Sequence, residues 1–302
     1  MKESYRYPAP LKEGDKIAIV SPAGKVDADY VHKACKVLNE AGWRVDIGPN
    51  ALGDIGSYSG NKYERYSDLS QALLDRDVRA IVCSRGGYGA VQLLEDLDVL
   101  PIEEDPKWIV GFSDISALHA LMAKKGIVSV HGPMTKDISK GAYDEDNAML
   151  FRILRGERPA LSFPTSIYDR PGIASGRLLG GNLAVIAELF GTPFNVLKPD
   201  TILFIEDIAE PIYKIERILY QLRLGGVLPA LRGLIVGQFT DACENQNYRC
   251  VEEMIYSMVA PYSYPVAMNV PFGHVDHNVP IISGAMVTLR VTAGGTNSIV
   301  YW

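Results

Sequence analysis

Cysteine is scarce and scattered. The four residues Cys35, Cys83, Cys243 and Cys250 contain no Cys-x-x-Cys pair, so a zinc site is not expected and free, mostly buried thiols are. No apolar run approaches the ~20 residues that span a bilayer, and residues 1–11 are polar and proline-bearing with no apolar leader core. A soluble, cytoplasmic protein without a membrane partner is therefore expected. Positive charge is not in excess either: 30 Lys and Arg against 36 Asp and Glu give a formal net charge of -6. That balance argues against nucleic acid as a partner, because phosphate binding shows as a basic face. Nucleotide motifs are missing as well. Gly87-Tyr88-Gly89-Ala90-Val91-Gln92 lacks the third glycine of a dinucleotide fingerprint and sits far from the first strand turn, and there is no P-loop. Internal repeats and low-complexity tracts are absent too.

What is present is an ordinary globular composition, 47% hydrophobic and 22% charged, over 302 residues. That length exceeds one average domain, so two domains are expected. From Lys16 to about Val130 the chain alternates between strand-like and helix-like segments: residues 17–20, then 30–38, 43–47 and 80–83. Such alternation implies a mostly parallel sheet, with functional residues at the carboxyl ends of its strands. Three motifs fall at such ends: Ser21-Pro22-Ala23-Gly24, Ser84-Arg85-Gly86-Gly87-Tyr88-Gly89 and Gly111-Phe112-Ser113-Asp114. The pattern loosens between about Lys136 and Gly172, apart from a helix near residues 148–154. The expected organisation is a nucleophile-bearing domain over residues 1–138, a linker over 139–171 and a second domain over 172–302. In that second half Asn182 is expected to cap a helix running to Phe190. Strands are expected at residues 201–205, 234–237 and near Val266 and Val287, and a helix at residues 212–224.

Residues 107–118 carry the strongest chemical signal. Trp108 to Val110 reads as a buried strand, and Leu118, Leu121 and Met122 repeat at helical spacing until Gly126. Ser113 is thereby placed on a strand-to-helix turn, where a hydroxyl is exposed and the following N–H groups face an incoming oxyanion. A helix N-cap is the competing role for such a serine. The position two after it is Ile115 rather than glycine, which argues against an ordinary α/β-hydrolase elbow. A serine nucleophile needs a base, usually an imidazole oriented by a carboxylate. His274, in Asn269-Val270-Pro271-Phe272-Gly273-His274, lies in a loop stiffened by proline and glycine. His277 competes with it, His131 also falls at a strand end, and His32 and His119 fall in helical patterns. Glu206 and Asp207 both end an apolar strand, where an orienting acid belongs; their alternative role is to favour the N-terminus of a following helix.

Ser84 to Gly89, Gly111-Phe112-Ser113-Asp114, His131-Gly132-Pro133, Gly180-Gly181-Asn182-Leu183, Glu206-Asp207 and Pro271-Phe272-Gly273-His274 occur in that order over nearly the whole chain. Together they resemble the LD-carboxypeptidase family of serine peptidases, which also contains the microcin C self-immunity peptidases. The resemblance implies an α/β protein with an N-terminal flavodoxin-like (Rossmann-like) parallel-sheet domain and a C-terminal strand-rich mixed α/β domain. It implies Ser113 as nucleophile, His274 as base and Glu206, in preference to Asp207, as the acid orienting it. It also implies an oxyanion hole from the N–H of Asp114 and of Gly86 or Gly87. The substrate would be a murein tetrapeptide losing its terminal D-alanine in cell-wall recycling, with no cofactor, no metal and a homodimeric assembly. One departure concerns Lys214 and Glu216, where the family pattern leads one to expect arginine and aspartate; lysine does not reproduce arginine's bidentate fork. Two other functions compete: a peptidase for microcin-like aminoacyl nucleotides, and a noncatalytic binder of a small ligand in which Ser113 only caps a helix.

Overall fold

The computed structural model describes residues 5–242 and 247–302, so Cys243 lies outside the described residues. Cys35, Cys83 and Cys250 are free thiols. No helix among the described residues is long and apolar enough to cross a membrane. The chain forms two compact units, one of Met1–Glu157 with Val279–Ser283 and one of Arg158–Asn278 with Gly284–Trp302.

The first unit is built on β1 (Lys16–Val20), β2 (Arg44–Ile47), β3 (Val78–Cys83), β4 (Trp108–Gly111) and β5 (Ser129–His131), all parallel in the order β5-β4-β3-β1-β2. The strand Ile281–Ser283 adds antiparallel to the outer side of β5. β1, β3 and β4 are almost wholly buried, which explains their near-continuous Ile, Val and Ala. This is the flavodoxin-like strand order. Its direction reverses between β1 and β3, the place where such sheets bind ligands beyond the carboxyl ends of their strands. The helix Lys62–Leu74 begins with a capping box between Asn61 and Glu64, and it buries Leu69, Ala72 and Leu73. It also buries Arg65 and Asp68. The stretch expected to be a linker contains the helix Glu145–Leu154, in the first unit.

The second unit comprises β6 (Leu161–Pro164), β7 (Gly172–Asn182), β8 (Thr201–Ile208), β9 (Gly233–Thr240) and β10 (Val266–Ala267). Past β11, the strand Ile281–Ser283 already placed, it adds β12 (Met286–Val291) and β13 (Thr296–Tyr301). Its sheet runs β10-β9-β8-β7-β12-β13-β6. Neighbours from β10 to β7 are parallel and those from β7 to β6 antiparallel, which makes this the strand-rich mixed half. The helix Ile212–Leu224 packs Ile212, Ile215, Leu219 and Leu222 inward at helical spacing. Asn182 caps the helix Leu183–Glu188, which stops two residues short of the expected Phe190.

Candidate active site

In the first unit β4 ends at Gly111 and the chain turns through Phe112 into a short 3-10 turn, Ser113–Ile115, that leads into the helix Ser116–Lys124. Ser113 has φ 64°, in the left-handed region, although it carries a Cβ. Holding a non-glycine residue there costs on the order of 1–3 kcal/mol and persists only where the surroundings impose it. Neither the 3-10 turn nor the helix has a side-chain cap, so Ser113 is not acting as an N-cap. The strain is held from behind. His119 Nε2 lies 2.8 Å from Gly111 O and its Nδ1 2.9 Å from Ser129 Oγ. Burial, with His131 beside it, pushes His119 down to about 3 against the Gly111 bond, so the ring is neutral. With Nε2–H donating to the carbonyl, Nδ1 accepts the Ser129 hydroxyl, and the residue two before Ser113 is pinned.

The loop of residues 84–90 lies against this turn. A Cβ built on Gly86 would fall 2.7 Å from Ser113 Cβ and 2.9 Å from its Oγ, so only glycine allows the approach. Asp114 is buried, and its Oδ2 accepts the Ala90 N–H at 2.8 Å, which ties the far end of the loop to the residue after Ser113. Among the described residues, neither the Gly86 nor the Gly87 N–H has a protein acceptor. Gly86 O accepts from Gly24 N–H at 2.9 Å. Ser84 is structural: Ser21 Oγ donates to Ala51 O at 2.6 Å and therefore accepts from Ser84 Oγ, 2.5 Å away. Cys83 is fully buried with its pKa pushed up, an inert thiol.

In the second unit Glu206 and Asp207 alternate on β8 and so leave the strand on opposite faces. Glu206 is 0% exposed and its Oε2 lies 2.8 Å from His274 Nδ1. The register of β8 against β9 slips here, two residues, Gly237 and Gln238, standing opposite Glu206 alone; such a bulge re-aims a side chain. Gly237 has no room for a Cβ, which would meet the Phe272 ring at 2.6 Å. The loop after Asn269 is set by Gln238 N–H on Phe272 O at 3.0 Å, by Gly273 N–H on Asn278 Oδ1 at 2.9 Å, and by the buried Phe272 ring against Phe204. Gly273 has φ 115° and a Cβ there would fall 2.9 Å from Glu206 Oε2, so glycine is required for His274 to reach the acid.

Asp207 takes the other role open to these acids. It accepts from Asn182 Nδ2, from the N–H of Ala184 in the helix Leu183–Glu188 and from the N–H of Ile208, each at 2.9 Å. Burial pushes its carboxyl up to about 6, Glu206 adding to the rise and the N–H donors opposing it. A group whose folded pKa is raised stabilises the fold fully below its unfolded value, here 3.8, and that contribution is lost as pH rises through about 6. Wild-type stability is therefore expected to fall by up to about 3 kcal/mol between pH 4 and 7 from this group. Urea unfolding of wild type and Asp207→Asn across that range checks it: the variant should lack this slope.

Of the other histidines, His32 and His277 are exposed, and His131 is fully buried on β5, 5.9 Å between ring centres from Phe112. Lys214 pairs with Glu210 at 3.3 Å, and Glu216 accepts from Tyr248 at 2.9 Å. The first unit thus gathers Ser113, Asp114, Gly86 and Gly87, and the second gathers Glu206 and His274. The motifs carried no signal for Arg65 or for the roles of His119 and Asn278.

A parallel-sheet unit with a strained serine at a strand end, and a second unit with a carboxylate-oriented imidazole, have the makings of a serine hydrolase. Comparison with known proteins gives the family. Residues 17–132 match the LD-carboxypeptidase N-terminal domain and residues 175–289 the LD-carboxypeptidase C-terminal domain. The "Probable murein peptide carboxypeptidase" of Bacillus subtilis is 30% identical, with 94% of this chain and 91% of the relative covered. The murein tetrapeptide carboxypeptidase of Pseudomonas aeruginosa is 28% identical over 87% of this chain and 89% of that one. The crystal structure of muramoyltetrapeptide carboxypeptidase from Oxalobacter formigenes superposes with a TM-score of 0.85 at 28% identity, covering 95% and 98% of the two chains. The microcin C7 self-immunity protein MccF shares the fold, with a TM-score of 0.86 at 21% identity and 98% of each chain covered. The chain belongs to the LD-carboxypeptidase family and is a serine carboxypeptidase.

Proposed function

We propose that this protein is a cytoplasmic LD-carboxypeptidase that removes the terminal D-alanine from murein tetrapeptides during cell-wall recycling, through a Ser113–His274–Glu206 triad and an acyl-enzyme. The observation that carries the reading is the 2.8 Å bond from His274 Nδ1 to the fully buried Glu206 carboxylate, in a chain of this family. That bond commits Nδ1 as donor and leaves Nε2 as the basic lone pair. In this reading Ser113 Oγ attacks the carbonyl carbon preceding D-alanine while His274 Nε2 takes its proton. The carbonyl π pair moves onto oxygen, where the Asp114 N–H and one N–H of Gly86 or Gly87 receive it. Collapse expels the D-alanine nitrogen, protonated by His274, and leaves an ester on Ser113. A water molecule, deprotonated by His274, then cleaves the ester and regenerates the serine. Glu206 stays ionised throughout and stabilises the imidazolium.

Gly86→Ala is expected to lower kcat by about 100-fold or more, since its Cβ would displace Ser113 Oγ from 2.9 Å. Steady-state kinetics on a murein tetrapeptide check this, and a kcat near wild type would count against the placement of the loop.

A second substrate reading is a microcin-like aminoacyl nucleotide. It is favoured by a likeness to the MccF-like protein of Bacillus anthracis, 25% identical with a TM-score of 0.84 over 98% of this chain. The same triad would serve either substrate. Mass spectrometry of a mixture of murein tetrapeptide and aminoacyl sulfamoyl nucleotide decides between them. Preferential loss of D-alanine is expected; preferential cleavage of the nucleotide would overturn the proposed substrate. A homodimer is proposed as the assembly, and its mass in solution tests it.

A further inference from the structure

Arg65 is 3% exposed, and among the described residues every acceptor of its guanidinium is neutral. Nε donates to Gly60 O at 3.1 Å, Nη1 to Pro22 O at 2.9 Å and to Gly89 O at 3.0 Å, and Nη2 to Gln92 Oε1 at 2.5 Å. The Tyr58 ring lies beneath the cation, 4.8 Å from its carbon. Taking a cation out of water is costly, and burial does pull the Arg65 pKa below its ordinary value, Tyr58 and Asp114 opposing. A fold that tolerates this has committed a charge to holding backbone.

The backbone held is specific. Pro22 O belongs to the turn after β1, whose Gly24 N–H binds Gly86 O at 2.9 Å. Gly89 O belongs to the far end of the Gly86 loop, one residue before the Ala90 N–H that binds Asp114. Gly89 itself, φ 127°, has no room for a side chain because a Cβ would fall 2.6 Å from Arg65 Nη1. One planar fork thus spans both sides of the loop that presses Gly86 onto Ser113. We infer that Arg65 is a positioning residue for the reaction, holding residues 84–90 so that Gly86 and its neighbouring N–H groups stay set against Ser113. This rests on the proposed use of Ser113 as nucleophile.

The test compares wild type, Arg65→Met and Arg65→Lys in three measurements: kcat and KM on a murein tetrapeptide, the rate of covalent labelling of Ser113 by a fluorophosphonate, and the urea midpoint. Displacing the loop by about 1 Å should cost Arg65→Met about 100-fold in kcat, with KM within about threefold of wild type. Labelling should slow in parallel while the protein stays folded under assay conditions. Arg65→Lys should recover part of the loss only, because an ammonium cannot reproduce the fork. The inference is overturned if Arg65→Met keeps kcat and labelling rate within about threefold of wild type, or if its losses equal its loss of folded protein. Labelling reads Ser113 without a peptide, so a wild type that labels but releases no D-alanine overturns the substrate reading and leaves the Arg65 comparison decisive.

Discussion

Ser113→Ala is expected to lower D-alanine release by about 10⁶-fold while leaving the fold intact, because the attacking atom is lost and the remaining members of a triad do little without it. Ser113→Gly separates chemistry from strain. Ser113 sits at φ 64°, where glycine is at ease and a residue with a Cβ is not. The glycine variant should therefore be equally inactive yet more stable than the alanine variant, by roughly 1 kcal/mol in urea unfolding. Equal stability of the two would mean that the turn imposes no strain; retained turnover in either would remove Ser113 from the reaction.

Glu206→Gln is the second large effect. An amide in place of the carboxylate offers an N–H to His274 Nδ1, so the ring carries its proton on Nε2 and cannot accept one from the serine. The Glu206 site is fully buried and the replacement is nearly isosteric, so packing against Gly273 should survive. A fall in kcat of about 10⁴-fold with little change in KM is expected from steady-state kinetics, as when an orienting carboxylate is lost elsewhere. A fall of less than about tenfold would show that the buried carboxylate is not orienting the base. Asp207→Asn is a useful partner experiment, because Asp207 is bound to Asn182, Ala184 and Ile208 rather than to the imidazole.

Much of the molecule was legible in the sequence wherever burial and periodicity agree. The helix Ile212–Leu224 and the strands of the parallel sheet follow the spacing of their apolar residues, and Ser113 and the Gly86 loop follow the ends of β4 and β3 because a doubly wound sheet places its turns there. The helix Lys62–Leu74 was not legible. Two of its inward positions are Arg65 and Asp68, so its apolar stripe is incomplete, and the residue that hides the pattern is the one that clamps the loop. No strand is expected over β7, whose apolar pattern Gly176, Gly180 and Gly181 interrupt; Gly180 leaves only 1.8 Å between a would-be Cβ and Phe204 O. The choice between Glu206 and Asp207 could not be made from the residues themselves. It depends on the alternation of β8 and on the bulge opposite Glu206, and neither leaves a mark in the composition of the strand. The role of His119 was hidden for a similar reason, since its partners Gly111 and Ser129 are set by tertiary packing.

The most direct test of the central claim, that Ser113 is a nucleophile activated by His274, is peptide-mapped mass spectrometry after reaction with a fluorophosphonate, run on wild type and His274→Ala together. A single phosphonylated residue, Ser113, is expected in wild type, with its rate of formation lowered about 10³-fold or more in the variant. A label on any other residue, or an unchanged rate without His274, would contradict it.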